Sequence, residues 1–196
     1  MQNTFCLPAV PGEVPTAREI VSTINDLAAR VRDLGVPVIW VLHTNTEADG
    51  VSDSEVFFTH IVRSPDVKKK MVDTLALENQ KVWDDLFVHE DDPVIIKNRL
   101  SAFAHGSFNL ERVLLSQGID TIPVGGAKTN VRCDPTTRNA MMLDFKSVMV
   151  SDFCATPSDD EHLAPLETFI QQFGDIMTSD DVMDRMLGRN DTAVAE

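Results

Sequence analysis

At 196 residues, 43% apolar and 24% charged, the chain is long enough to bury a substantial core and is ordinary in composition for a globular domain. A formal net charge of −14 repels phosphate backbones, which excludes nucleic acid as an expected partner. No apolar run approaches the ~20 residues of a bilayer span, the longest clear one being "VPVIWVL", and "MQNTFCLPAVPGEV" lacks the basic and apolar regions of a signal peptide, so no membrane partner is expected.

From Thr16, "TAREIVSTINDLAARVRDLG" places Ile20, Val21, Ile24, Leu27, Ala28, Val31 and Leu34 at helical spacing, with Thr16 and Glu19 as an expected capping box and Gly35 as the stop. "VPVIWVLHT" is a continuous apolar run of strand length, as expected for a strand covered on both faces. "SPDVKKKMVDTL" opens like a short helix with Ser64 as cap and Pro65 at its first position. There follow a strand in "DPVIIKN", a helix in "SFNLERVLLSQG" ending at Gly118, a strand in "DTIPVGG", a helix in "TNVRCDPTTRNAMMLDF" and a strand in "KSVMVSD". A helix in "DDEHLAPLETFIQQFG", a short strand in "DIMTS" and a last helix in "SDDVMDRMLG" complete the order.

Strands alternate with helices throughout, which predicts an α/β, three-layer Rossmann-like fold: a mostly parallel sheet with helices on both faces. Without repeat or linker, one domain over 1–188 is expected, with 189–196 as a frayed tail. Ligands of such sheets bind beyond the carboxyl ends of the strands. His43, Lys97, Gly125, Gly126 and Asp152 fall at those ends. Cys6, Cys133 and Cys154 are too few and too scattered for a disulfide framework, implying a reducing compartment and a cytoplasmic protein. No CxxC or HExxH spacing is present, so no metal or other cofactor is expected.

"MQNTFC", "IIKNRLSAF", "GGAKTNVRCDPTTRNAMMLDFKSVMVSD" and "DDEHLAPL" together resemble the isochorismatase-like hydrolases, the cysteine hydrolase superfamily, in order and spacing over nearly the whole chain. The resemblance implies the isochorismatase-like hydrolase fold, a homodimer or homotetramer, and hydrolysis of a small amide or related C–N bond. It also implies an Asp, Lys and Cys working together. A thiol at a helix amino terminus near a Lys has a lowered pKa. The Asp moves the proton, and backbone N–H groups beside a cis peptide hold the oxyanion.

Lys97 matches the family Lys, in the pattern Lys-x-Arg-x-Ser-Ala-Phe. The Asp has no match. The family reads Asp-Met-Gln-Asn at the end of its first strand, and the sequence here begins "MQN". Two explanations stay open, a longer native chain or a shortened paralog; either way the first strand is expected to be truncated, leaving its neighbours with unpaired backbone groups at about 1–3 kcal/mol each if buried. The Cys position of Gly-x-x-Thr-Asn-Val-Cys is held by Arg132, whose guanidinium cannot attack a carbonyl.

Cys133 comes next, about 100° round an α-helix, where a small buried hydrophobe is the ordinary reading and a nucleophile pressed into service the sharper one. The oxyanion, cis-peptide loop maps to Ala127, Lys128 and Arg132, and Phe5, His43 and Phe103 are the candidate substrate contacts, against ordinary core roles for each. The nicotinamidase metal ligands have no match after "WVLHTN". Pro135 is expected either to kink a helix begun near Asn130, at ~3 kcal/mol, or to take the first helical position of a late one capped by Asp134. Pro123 sits oddly in a central strand.

Three functions follow. The first is a C–N hydrolase, and the second a vinyl-ether hydrolase of the isochorismatase type in which Arg132 binds a substrate carboxylate. The third is a catalytically impaired relative that keeps a binding or oligomerisation role.

Overall fold

The computed structural model describes residues 1–44, 47, 48, 51, 52, 60, 62–74 and 80–188. The expected tail lies outside these. The elements are α1 (Asn3–Cys6), α2 (Thr16–Glu19), α3 (Val21–Asp33), β1 (Trp40–His43), β2 (Glu47–Ala48), β3 (Val51–Ser52), α4 (Pro65–Thr74), β4 (Val94–Lys97) and α5 (Leu110–Ser116). They continue with β5 (Thr121–Ala127), a π-turn (Thr129–Cys133), α6 (Asp134–Met142), β6 (Lys146–Ala155), α7 (Asp159–Gln172), β7 (Asp175–Met177) and α8 (Ser179–Met186). The mixed α/β architecture is the expected one, with parallel strands save for the small antiparallel pair β2–β3.

Strand β6 shows why the fold has layers. Its residues alternate between faces. Val148 and Val150 pack with Leu27 and Val31 of α3 and Val182 and Met183 of α8. Met149, between them, packs with Leu166 and Phe169 of α7. On the neighbouring strands, Ile95 and Ile122 join Leu110 and Leu114 of α5 and Ala140 of α6.

Several local expectations are corrected. The first long helix breaks at Ile20, and α2 has no side-chain cap: Thr16 Oγ1 donates instead to Thr156 O at 2.7 Å, tying the helix to the end of β6. Its end is as expected. Gly35, at φ +74°, donates to Arg32 O and Val36 to Val31 O, satisfying the last carbonyls. Strand β1 begins only at Trp40, because its partner β4 is four residues long and pairs from Trp40↔Val94 to His43↔Lys97. A full capping box forms where none was expected, on α8, between Thr178 and Asp181.

The sheet is divided. Strands β1 and β4 form one pair, and β5, β6 and β7 a separate three-stranded sheet. Among the described residues no strand lies between β1 and β5. Both instead border an apolar cavity of about 280 Å³, reached by Val41 of β1, Val124 of β5, Ala28 of α3, Leu114 of α5 and Met1. The side chains that line such a space lack packing partners on that side. Pro123 is accommodated because β5 is an edge of its sheet, where a missing N–H leaves no ladder bond unmade.

Candidate active site

Strand register builds the site. His43 and Lys97 end β1 and β4 opposite one another. In β4, Val94 and Ile96 are exposed (46% and 57%) while Ile95 and Lys97 are buried at 5% each, so the two-residue period turns the Lys inward. Its ammonium donates to Leu100 O. Burial, then the Arg132 charge, pull its pKa down to about 7, against a smaller opposing pull from Cys133.

On the other side β5 slips register between Val124 and Gly126. A Cβ on Gly125 would lie 2.0 Å from the Phe153 ring, so only glycine lets the strand pass so close to β6. Ala127 and Lys128 follow, joined by a cis peptide. The next turn is π rather than α. Arg132 N–H and Cys133 N–H both donate to Lys128 O, at 3.0 and 3.2 Å. Asp134 then opens α6, and Pro135 falls in its first turn, where an N–H has no partner to lose. Neither expected outcome for Pro135 holds as written: there is no kinked α-helix, and Cys133 rather than Asp134 occupies the cap, while the Asp134 side chain pairs with Arg138 at 2.7 Å.

The turn is anchored from behind. Thr129 Oγ1 meets His162 Nδ1 at 3.0 Å and Asn130 Nδ2 donates to Glu161 Oε2 at 3.3 Å, which gives the "DDEHLAPL" stretch a structural task. Asp152 is likewise structural: its carboxylate accepts from Ser179 N–H and Oγ–H, capping α8.

Lys97, Arg132, Cys133, Ala127, His43 and Phe5 converge on one pocket of about 90 Å³, together with Gln2. The Arg132 guanidinium carbon lies over the Phe5 ring, 4.7 Å from its centroid, and burial lowers the Arg132 pKa to about 10. Its Nε has no hydrogen-bond partner. His43 is 3% exposed with neither ring nitrogen partnered, and burial, followed by the nearby cations, drops its pKa to about 3, so the ring is neutral at pH 7. No carboxylate borders the pocket among the described residues. Phe103 is not brought here; it packs on Phe145, centroids 5.5 Å apart, and borders the larger cavity.

Cys133 occupies both settings considered for it. Its side chain belongs to the buried cluster of Met149, Cys154, Leu166 and Phe169, and it also borders the pocket. A hydrogen bond from Cys154 lowers its pKa and raises that of Cys154; Lys97, the buried Met1 amino group and Arg132 lower it further, against burial. Sequence reasoning missed two residues. Cys154 reaches Cys133 because Gly126 pairs with Cys154 across β5 and β6, a long-range register with no local signal. Gln2, 3% exposed, accepts from His43 N–H at 2.8 Å and donates to His43 O at 3.0 Å. Its amide stands in for a neighbouring strand at the open edge of β1.

The isochorismatase domain model matches residues 1–181, and the chain belongs to that family of hydrolases. The chain is similar to enterobactin synthase component B of Escherichia coli (strain K12), 26% identical over 184 residues, which are 93% of this chain and 60% of that protein. It thus spans well under two thirds of that relative. The maleamate amidohydrolase of Pseudomonas putida is 27% identical over 93% of this chain and 81% of its own. Among solved structures, a cysteine hydrolase from Pseudomonas syringae pv. phaseolicola 1448A superposes with a TM-score of 0.79 at 27% identity, covering 96% of this chain and 90% of that one.

Proposed function

We propose that the chain is a hydrolase of small amide-type C–N bonds, with Cys133 as nucleophile and Lys97 as proton carrier. The observation that carries this is the place of the Cys133 thiol, bordering the pocket together with buried Lys97 and half-buried Arg132. Similarity to a maleamate amidohydrolase and a cysteine hydrolase supports it.

In this reading the Cys133 thiolate adds to the substrate carbonyl carbon. The charge developing on the carbonyl oxygen faces the positive field of Lys97 and Arg132. The C–N bond breaks as the Lys97 ammonium gives its proton to the leaving nitrogen. Neutral Lys97 then takes a proton from water, whose oxygen attacks the thioester, releasing acid and restoring the thiolate. A Lys with a pKa about 7 can do both.

The test is labelling and turnover together. Iodoacetamide at neutral pH should modify Cys133 before Cys6, whose thiol burial pushes up to about 11. Cys133→Ala and Lys97→Ala should each lower hydrolysis across a panel of small amides by about 100-fold or more. Preferential labelling of Cys6, or turnover undiminished in Cys133→Ala, removes Cys133 from the mechanism.

A second reading, binding without turnover, is favoured by a pocket that no carboxylate borders among the described residues and by the two turn N–H groups already engaged with Lys128 O. No hydrolysis of any amide with binding intact would select it. The vinyl-ether alternative also needs an acid that the pocket lacks among the described residues.

We further infer that the cavity between β1 and β5 has the position and the apolar lining to accept a strand. The divided sheet supports this, with apolar residues of both parts along the cavity's border, Val41 on one side and Val124 on the other. A single domain over 1–188 fits the continuous packing of helices on both sheets. Exposed Val94 and Ile96 on one face of β4 suit a homo-oligomer, and three free cysteines suit the cytoplasm.

A further inference from the structure

Two of the three free cysteines meet in the fold. The parallel pairing of β5 with β6 sets Cys154 against Gly126, and the π-turn that follows β5 brings Cys133 back beside it. Both are buried, at 4% for Cys133 and 5% for Cys154, in the cluster of Met149, Leu166 and Phe169. The Cys154 thiol hydrogen-bonds the Cys133 sulfur. Buried thiols are ordinarily small hydrophobes. This pair differs because Cys133 also borders the pocket of about 90 Å³, while Cys154 stands behind it, off the pocket wall. The Cys154 hydrogen bond, and after it Lys97, the Met1 amino group and Arg132, all bordering the same pocket, favour the thiolate of Cys133 against its burial. The same hydrogen bond, then burial, keeps Cys154 protonated.

A thiolate facing a pocket with a second thiol directly behind it is the arrangement of an attacking and a resolving sulfur. We propose that Cys133 and Cys154 form a reversible disulfide when a peroxide enters the pocket, Cys133 being oxidised first and Cys154 resolving it. Hydrogen peroxide, with two heavy atoms, fits a space that holds roughly three water-sized groups. The Cys133 thiolate attacks one peroxide oxygen, the O–O bond breaks, and the other oxygen leaves as hydroxide and takes a proton from the Lys97 ammonium. The Cys154 sulfur then attacks the Cys133 sulfenic acid: an S–S bond forms, the S–O bond breaks, and the hydroxyl leaves as water with the Cys154 proton. The sulfurs lose two electrons, the peroxide becomes two waters, and Lys97 regains its proton from solvent. The oxidation goes beyond the hydrolase reading and needs no turnover; where that reading holds, the bond ties up the nucleophile and switches hydrolysis off.

The test treats the full chain with equimolar hydrogen peroxide at neutral pH, alkylates it in denaturant and maps its peptides by mass spectrometry. A bridge joining the peptides of Cys133 and Cys154 is expected. Cys6, off the pocket and with a thiol that burial pushes up to about 11, should be recovered alkylated. Dithiothreitol should restore all three thiols. In Cys154→Ser the oxidation should stop at a Cys133 sulfenic acid that dimedone captures, and in Cys133→Ser no bridge should form.

Three alkylated cysteines after peroxide, a bridge to Cys6, a bridge between chains, or passage of wild-type Cys133 straight to the sulfinic acid would each overturn the inference. Should the variants fail to fold, the wild-type map still decides. A bridge in a chain that hydrolyses no amide would leave the redox pair standing and remove the hydrolase. Hydrolysis by a chain that forms no bridge would do the reverse.

Discussion

The three-stranded sheet and the two-stranded pair handle the same kind of sequence differently. Strand β6 is hydrogen-bonded along both edges, to β5 and β7, and covered on both faces, by α3 and α8 on one and α7 on the other. Its residues Met149 and Val150 are wholly buried. In the pair, β1 has a strand on one edge, a single glutamine amide on part of the other, and an apolar cavity beside it. The site lies where the two parts meet, with Lys97 and His43 on the looser one and Arg132 and Cys133 on the tighter. The finished sheet thus holds the turn rigidly, while the pair delivers buried, poorly solvated groups with perturbed pKa values.

The largest effect should come from completing the pair. Joining a run of about six Val, Ile and Leu residues directly ahead of Met1 should raise stability on the order of 5 kcal/mol, since burying side chains at ~1.5–3 kcal/mol each offsets the cost of ordering them and each new ladder hydrogen bond adds ~1 kcal/mol. In differential scanning calorimetry that is a rise in Tm of about 10–20 °C for a chain this size. An unchanged Tm would mean that the cavity does not accept a strand.

Next comes Lys97. Its folded pKa is about 7 against 10.5 in the unfolded chain, so between these values the unfolded state holds more protons and stability rises with pH. The cost of burying the charge is complete below about pH 7 and gone above the unfolded value. Lys97→Met should therefore stabilise the fold by about 3 kcal/mol near pH 6, after allowing ~1 kcal/mol for the lost bond to Leu100 O. The gain should shrink toward pH 10. Urea melts across that range would show it, and a gain independent of pH would contradict the assignment.

The smallest effect is a reversal of sign between the halves. Ala28 borders the cavity, whereas Ala140, fully buried, does not, although Leu114 and Ile122 of its own cluster do. Ala28→Leu should gain about 1 kcal/mol by filling space, and Ala140→Leu should lose about 1–3 kcal/mol by overpacking. Matched denaturant midpoints check this, and losses of equal size would show that the two halves are packed alike.

Most of the fold was legible because period and punctuation are local: Gly35 and Gly118 end helices at positive φ, Pro65 opens one, and β4 and β6 lie where their apolar runs stand. The helix break at Ile20 was not, since it depends on Thr16 reaching Thr156 across the fold. In the site, Lys97, Arg132 and Cys133 were legible from motif spacing, and the structure brings them together. The π-turn was not, because widening by one residue leaves no mark in a sequence that reads as helix. Phe103 looked equivalent to Phe5 as an aromatic near a motif, and only packing separates them. Gln2 acts through a partner 41 residues away, and Cys154 reaches Cys133 only through the pairing of β5 with β6, both beyond any local pattern.

The hollow beside β1 also has a mechanical meaning. Empty volume inside a protein disappears when the chain opens, so squeezing the solution favours opening. Hydrostatic pressure would act on this molecule where its two parts meet, drawing β1 and the three-stranded sheet apart across the hollow that both border. Lys97 and His43 would part from Arg132 and Cys133, and compression would take the site apart along the line where the two sheets fail to meet.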